Sequence, residues 1–530
     1  MMFSKPISSL RLILIMAAFF TLTMNYSLFS HLLAAYPLNA KNVLFLLSFA
    51  VGYTGLTALI FALLSFKHTL KPALIVLLLC SSGIAYFMDS YDVLINSEML
   101  QNALHTDVRE VSNLFSLRLV LYVGLLGVLP SLILWKLPVA FHPWPKEAAR
   151  RLVFIIGAVI SVILIIWSQS GFYGSFFREH KPVRMYANPA NYLSAGIKIA
   201  HSYFKAPSGP IQKIGLDAHI EPDDAERELI IFVVGEAARA DHFSLNGYER
   251  LTNPLLGIED VVSFTNVWSC GTSTLASVPC MFSNIKNNEY EEGAADVIEN
   301  VTDVLERAGV NTLWRDNNSS SKGVANRMQY ESFLTPQTNT ICDTECRDEG
   351  MLVGLDKYIA RHPKGDIVII LHQMGSHGPA YYKRYPEEFE RFKPTCRTNE
   401  LKDCSLEEIN NAYDNTILYT DYFLSRVIHF LKSYDDRFET AMFYVSDHGE
   451  SLGENGIYLH GLPRMIAPDA QRHVPAILWL GKSIREDIDA QTLAAKRNRR
   501  YSHENIFHTL LGFTEVRSKA YDPEKDILRD

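Results

Sequence analysis

The sequence predicts a helical membrane domain of five spans followed by an α/β domain with a mostly parallel sheet. Three observations carry that prediction. Long apolar runs dominate up to about Trp167; the remainder mixes charge, Gly and Pro as soluble domains do; and short continuous apolar runs recur from Leu229 onward. A chain of 530 residues has room for more than one domain. The predicted divisions are 1–167 for the membrane domain, 168–225 for interfacial or bridging helices and linker, and 226–530 for the soluble domain.

The five spans are read at about Leu12 to Leu33, Val43 to Leu64, Ala73 to Phe87, Leu119 to Leu137 and Leu152 to Trp167. The third and fifth are short against the roughly 20 residues a crossing requires. With the N-terminus inside, cytoplasmic segments hold Lys5, Arg11, Lys67, Lys71, Lys136, Lys146, Arg150 and Arg151, against Lys41, Arg109 and Arg118 outside. That bias places everything after Trp167 outside, with the first span acting as an uncleaved anchor.

Cysteine usage agrees with export. Cys80 lies in the third span, and the other six fall as close pairs: Cys270 with Cys280, Cys342 with Cys346, and Cys396 with Cys404. Such pairs suit disulfides in an oxidising compartment; the alternative is a zinc ribbon on Cys342-x-x-x-Cys346 and the later pair. A formal charge of −8 argues against a nucleic-acid partner.

After the last span, "GFYGSFFREHKPVRMYANPANYLSAGIKIAHSYFK" is aromatic and basic, and Asn188 to Phe204 reads as an amphipathic helix on the bilayer or a plain linker. The strands come next: "LIIFVV" (Leu229 to Val234), "NTLW" (Asn311 to Trp314), "IVIIL" (Ile367 to Leu371), "AMFYV" (Ala441 to Val445) and "AILWL" (Ala476 to Leu480). Their continuity implies burial on both faces. Helices are expected in "AADVIENVTDVLERAG" and "NNAYDNTILYTDYFLSRVIHFLKSY" between them.

The residues just past the strands are chemically distinctive. Gly235-Glu236, Arg315 to Asn318, His372 to His377 and Ser446 to Glu450 each begin where an apolar run ends. Open parallel sheets bind ligands beyond the carboxyl ends of their strands, so Glu236, Asp447, His448 and His377 are expected at one edge. Carboxylate plus imidazole without thiolate fits Zn²⁺ or Mn²⁺ better than Ca²⁺ or Mg²⁺. His460 and His473 are further candidates, each equally readable as a hydrogen-bonded structural histidine.

A dication gives "NVWSCGTSTLASVPCMFS" a use. Coordination lowers the pKa of a Ser or Thr hydroxyl, and a helix beginning near Gly271 to Thr274 would favour an alkoxide or phosphate at its N-terminus. Pro279 is expected near the first turn of that helix or at a kink. Spacing alone leaves Thr272, Ser273 and Thr274 as rivals.

The motifs "FVVGEAARADHFSLNGY", "SCGTSTLASVPCMFS", "WRDNNSSSKGV", "LHQMGSHGPAYYKRYP", "YVSDHGESLGENGIYLHG" and "HVPAILWL" resemble those of the lipid A phosphoethanolamine transferases, including the mobile colistin-resistance enzymes. The resemblance runs nearly the full length. It implies a periplasmic catalytic domain of alkaline-phosphatase and sulfatase type, anchored in the bacterial inner membrane. It assigns Thr274 as the nucleophile, with Glu236, Asp447 and His448 binding zinc beside it. His377 and His460 match residues that hold a second zinc or the phosphoryl group, with His372 nearby; Asn318 and Lys322 match donors to the phosphoethanolamine. Asn102, Thr106 and Glu110 recur every four residues in "SEMLQNALHTDVREVSNL", and the resemblance assigns them to a helix reaching the active site.

The implied reaction moves phosphoethanolamine from phosphatidylethanolamine, through a covalent enzyme intermediate, to lipid A, which lowers surface charge and confers polymyxin resistance. Other acceptors (Kdo, core heptose or periplasmic glucan) and a membrane-bound sulfatase or phosphatase are the alternatives.

Overall fold

The computed structural model describes residues 5–64, 66–105, 108–205, 211–221, 226–287, 289–290, 294 and 297–529. It divides into two compact units, Met1–His105 with Leu114–Lys205, and Thr106–Asn113 with Ala206–Asp530.

In the first unit, Val43–Leu64, Leu70–Tyr91, Leu117–Lys136 and Trp144–Ser168 are long and apolar enough to cross a membrane. The first expected span is instead two helices, Ser9–Thr23 and Tyr26–Ala35, bent by 61°. Asn25 sits at the break. Its Nδ2 donates to Phe20 O at 2.9 Å and Asn188 O at 2.7 Å, while Asn188 N donates to its Oδ1 at 2.9 Å. A buried amide satisfied this way diverts the chain from a straight helix. The third and fifth spans are longer than the apolar runs, at 22 and 25 residues, because Lys71, Asp89, Lys146 and Arg150 continue the helical backbone. Beyond them lie the helices Ser170–Glu179 and Ala190–Lys205.

The second unit is built on an eight-stranded sheet: β1 Glu228–Gly235, β2 Val261–Trp268, β3 Asn311–Asp316, β4 Gln329–Ser332, β5 Ile367–His372, β6 Glu439–Ser446, β7 His473–Leu480 and β8 Tyr501–Ser502. Their order is β8-β2-β7-β6-β1-β5-β3-β4. β7 runs antiparallel to both neighbours and every other pairing is parallel. β1, β5 and β6 are buried along their whole length, as two-sided coverage requires.

The long helix Leu406–Lys432 opens with a capping box, Ser405 with Glu408. The other expected helix is shorter than its pattern. It spans Val301–Ala308, because the Asn300 side chain caps it and Asp303 completes a second capping box. Pro279 lies inside the helix Thr274–Met281 rather than in its first turn. Disulfides join Cys270 to Cys280, Cys342 to Cys346 and Cys396 to Cys404.

Candidate active site

Register alone brings the first two acids together. Gly235 pairs with Ser446 across β1 and β6, so the next residue on each strand, Glu236 and Asp447, leaves the sheet beside the other. β2 is antiparallel to β7, which is antiparallel to β6, so its end at Trp268 reaches the same edge. The chain then enters the helix Thr274–Met281 with Ser273 extended at its N-cap.

Thr274 Oγ1 donates to Glu236 Oε2 at 3.0 Å and lies 3.4 Å from His448 Nε2. His448 Nε2 is 3.3 Å from Glu236 Oε1 and 3.5 Å from Asp447 Oδ2. Glu236, Asp447 and His448 are fully buried. Of the rival hydroxyls, Thr272 Oγ1 donates to Leu462 O at 2.7 Å.

The surrounding hydrogen bonds leave specific atoms open. Asp447 Oδ1 accepts from His448 N at 2.7 Å and Ala237 N at 3.2 Å, whereas Oδ2 accepts none. Glu236 Oε2 accepts from Asn318 Nδ2 at 2.8 Å as well as from Thr274, whereas Oε1 accepts none. His448 Nδ1 donates to Gly449 O at 2.8 Å, so Nε2 is the ring nitrogen that faces the carboxylates.

Electrostatics agree with that reading. Burial and the charge of Glu236 push the Asp447 carboxyl up to about 7. Burial pulls the His448 imidazole down, but Asp447 and Glu236 outweigh it and push it up to about 10. Burial likewise opposes ionisation of Glu236, and His448 overcomes it, holding that carboxyl well below its usual range. Two buried carboxylates at this spacing favour any cation between them. Open oxygens plus an imidazole nitrogen, all within 4.8 Å of one another, are a donor set that fits a divalent metal.

Two backbone details hold the acids in place. Gly375 has φ +50, and a Cβ there would lie 2.8 Å from Glu236 O, so glycine is required where this loop crosses the acid. Ala237 has φ +55, costly for a residue with a Cβ. The buried Tyr413 hydroxyl clamps it, donating to Ala237 O at 2.7 Å and accepting from Arg239 N at 2.9 Å.

His460 stands beside the cluster, its ring 4.3 Å from that of His448 and 5.6 Å from that of His377. Its Nδ1 is 2.7 Å from Glu450 Oε2, and Tyr381 Oη donates to Glu450 Oε1 at 2.7 Å. His448, Glu450 and His460 form a second group able to hold a metal. His372 closes β5, with Nδ1 3.1 Å from Asp316 Oδ2 and a buried Nε2 that makes no hydrogen bond. Lys322 Nζ donates to Ser319 Oγ at 2.6 Å, and Ser319 N in turn donates to Asn318 Oδ1 at 2.5 Å. His473 is structural: Nε2 meets Thr265 O at 2.8 Å and its ring stacks on Trp268.

Asn102 lies on the helix Ser97–His105 of the first unit. Thr106 and the side chain of Glu110 lie outside the described residues. The adjoining segment belongs to the second unit, where Lys383 Nζ donates to Asn113 Oδ1 at 2.9 Å and Asn399 Nδ2 to Asn113 O at 2.8 Å.

Sequence reasoning missed Tyr413, Glu450, Asn113 and His503. Glu450 stands inside "SDHGE" and carried a signal; the others had none in local spacing. His503 is fully buried, accepting from Cys270 N at 3.1 Å on Nδ1 and donating from Nε2 to Ser446 O at 3.1 Å. Burial holds it neutral, down to about 3, as those two bonds demand.

The fold and this edge define a sulfatase-class enzyme, and residues 228–516 match the Sulfatase family model. Residues 53–204 match the model described as Phosphoethanolamine transferase EptA/EptB. The chain is 45% identical over 493 residues to Phosphatidylethanolamine transferase Mcr-1 of Escherichia coli, covering 91% of each. It is 39% identical to Phosphoethanolamine transferase EptA of Escherichia coli K12, covering 99% of this chain and 97% of that one. The solved EptA of Neisseria meningitidis, an integral membrane lipooligosaccharide phosphoethanolamine transferase, superposes with a TM-score of 0.95 at 36% identity over 99% of both chains. This chain belongs to the phosphoethanolamine transferase family.

Proposed function

We propose that the enzyme transfers phosphoethanolamine from phosphatidylethanolamine to lipid A in two displacements through Thr274. The observation that carries this is Thr274 Oγ1 bonded to Glu236 and within 3.4 Å of His448, beside two buried carboxylate oxygens that accept no hydrogen bond. Glu236, Asp447, His448 and Thr274 would hold one zinc ion; His377 and His460, with His372 nearby, would hold a second ion or the phosphoryl group. Bound there, zinc would acidify the threonine hydroxyl and neutralise charge on the phosphoryl oxygens.

Glu236 Oε2 takes the Thr274 proton, and Oγ1 attacks phosphorus. The Oγ1–P bond forms, the P–O bond to diacylglycerol breaks, and Glu236 passes the proton to the departing oxygen. A phosphate oxygen of lipid A then gives its proton to Glu236 and attacks the same phosphorus; the new O–P bond forms as the Oγ1–P bond breaks, and Thr274 takes that proton back from Glu236. Lys322 orients the phosphoryl group by donating a hydrogen bond, and Asn318, whose Nδ2 is shared between Glu236 Oε2 and Gln373 O, reaches that group only by giving up one of these bonds. Each transfer adds an ammonium to the envelope, which weakens polymyxin binding. Four apolar helices and the bent pair Ser9–Thr23 with Tyr26–Ala35, counted as one span, make five crossings. That odd number, with the disulfides of the soluble unit, supports an inner-membrane protein, N-terminus cytoplasmic, with the soluble unit in the periplasm.

Mass spectrometry of lipid A from cells with and without the enzyme tests activity and acceptor together. Thr274→Ala should abolish the phosphoethanolamine adduct on lipid A and on the protein; modified lipid A from that variant would move the nucleophile elsewhere. Zinc content should fall in Glu236→Gln and Asp447→Asn, and unchanged content would remove their metal role.

A further inference from the structure

Two arginines far apart in sequence, Arg472 and Arg500, meet over one indole six positions before Thr274. A third, Arg464, whose Nη1 donates to Asn287 O at 2.8 Å, acts on Arg472 through its field. The Cζ of Arg500 lies 5.0 Å and that of Arg472 5.9 Å from the Trp268 ring centre, which also stacks on His473.

Backbone pairing brings each of the three there. Ser269 N donates to Arg472 O at 2.8 Å. Arg500 enters β8, where Ser502 pairs with Trp268 and His503 N donates to Trp268 O at 3.2 Å. Arg464 comes just after a turn in which Gly461 N donates to Thr272 O at 2.8 Å and Thr272 Oγ1 to Leu462 O at 2.7 Å. Every arginine is therefore within a few residues of a bond to the segment Trp268–Thr272. Trp268 stands six positions before Thr274, so their Cα atoms lie within about 22 Å of each other.

The charge of this group stands without acidic partners in contact. Among the described residues, none of Arg464, Arg472 and Arg500 forms a salt bridge, although the chain is net acidic at −8. Burial and the fields of Arg464 and Arg500 draw the Arg472 guanidinium below its ordinary value, and Asp469 offsets part of that. Arg464 and Arg500 are exposed, and so are Arg497 and Arg499 beside them. Like charges held together at a fold edge cost stability unless an anion completes them.

We propose that Arg472 and Arg500, which lie over Trp268, form with the exposed Arg464 a subsite for a second phosphate of the acceptor glycolipid, the one that is not being modified. Guanidinium groups bind phosphate through paired N–H donors, and the indole, stacked on His473 and lying under two of the arginines, holds them in place for it. The subsite holds the acceptor by one phosphate while another reaches the phosphorylated Thr274. This deepens the proposed function and rests on it.

The test uses the full-length enzyme in nanodiscs with phosphatidylethanolamine, comparing wild type with Arg464→Gln/Arg500→Gln, a change at two exposed positions. With a diphosphorylated acceptor, the double variant should show about a tenfold or greater rise in acceptor KM. Its kcat and its discharge of phosphoethanolamine to water should stay within twofold of wild type. With an acceptor bearing one phosphate, variant and wild type should match within twofold. Arg500→Lys should recover part of the loss.

Equal losses on both acceptors, or a parallel loss of donor discharge, would overturn the subsite. So would a defect that tracks the anionic lipid content of the nanodisc, which would make the patch a membrane-surface contact. A wild type that neither discharges donor nor modifies acceptor would instead overturn the function on which the subsite rests.

Discussion

Tyr413→Phe removes one oxygen from a fully buried ring and should loosen the turn that carries Glu236. The hydroxyl satisfies two backbone groups, Ala237 O at 2.7 Å and Arg239 N at 2.9 Å. Leaving a buried donor or acceptor unpaired costs about 1–3 kcal/mol, so the two together cost about 2–6 kcal/mol if nothing moves. Ala237 gives some of this back by leaving its left-handed conformation, which costs roughly 1–2 kcal/mol to hold. The difference spans about 0–5 kcal/mol with its midpoint near about 2.5 kcal/mol, or local opening roughly 70-fold more frequent. Amide hydrogen exchange on the full-length protein reads this directly in peptides covering Ala237 to Asp241. Transfer activity should fall with it, because Ala237 N also fixes Asp447 Oδ1. Exchange within threefold of wild type would refute the clamp.

Gly375→Ala should displace Glu236 and reduce bound metal, because its Cβ would meet Glu236 O at 2.8 Å; Gly247→Ala, with φ +98 but open space around it, should lose stability and keep its metal. Metal analysis of both variants checks the contrast. At the opposite edge of the sheet, burial and then the charges of Asp487 and Glu226 push the Glu439 carboxyl up to about 7. The folded chain thus keeps a proton that the unfolded chain has lost, and stability falls as pH rises from about 4.5 to about 7, then levels off. Glu439→Gln should melt higher than wild type at pH 8 and level with it near pH 4.5; a larger gap at the acid end would contradict the sign.

The gathering of Glu236, Asp447 and His448 at one edge was legible because it obeys a local rule. Glu236, Asp447, His448 and His377 each stand just past a continuous apolar run, and such runs end at a common edge. What polar composition or direction decides was hidden. β2 carries Ser263, Thr265 and Asn266, so it shows no continuous run, and it pairs with β7 through a register shift between Val474 and Ala476, where Pro475 lacks an N–H. β7 itself reads like its parallel neighbours, since burial on both faces says nothing of strand sense. The bend at Asn25 depends on an amide 163 residues away, and the clamp on Ala237 on a hydroxyl 176 residues away. Three of the four residues that sequence reasoning missed share this property. Tyr413, His503 and Asn113 act through hydrogen bonds between segments distant in sequence, and such bonds have no period. The arginines around Trp268 belong to the same class. No spacing links positions 464, 472 and 500, yet each is tied to the nucleophile loop by a backbone bond close by. Spacing therefore exposes the groups that gather at the sheet edge, while the groups that hold them there emerge only when the chain is folded.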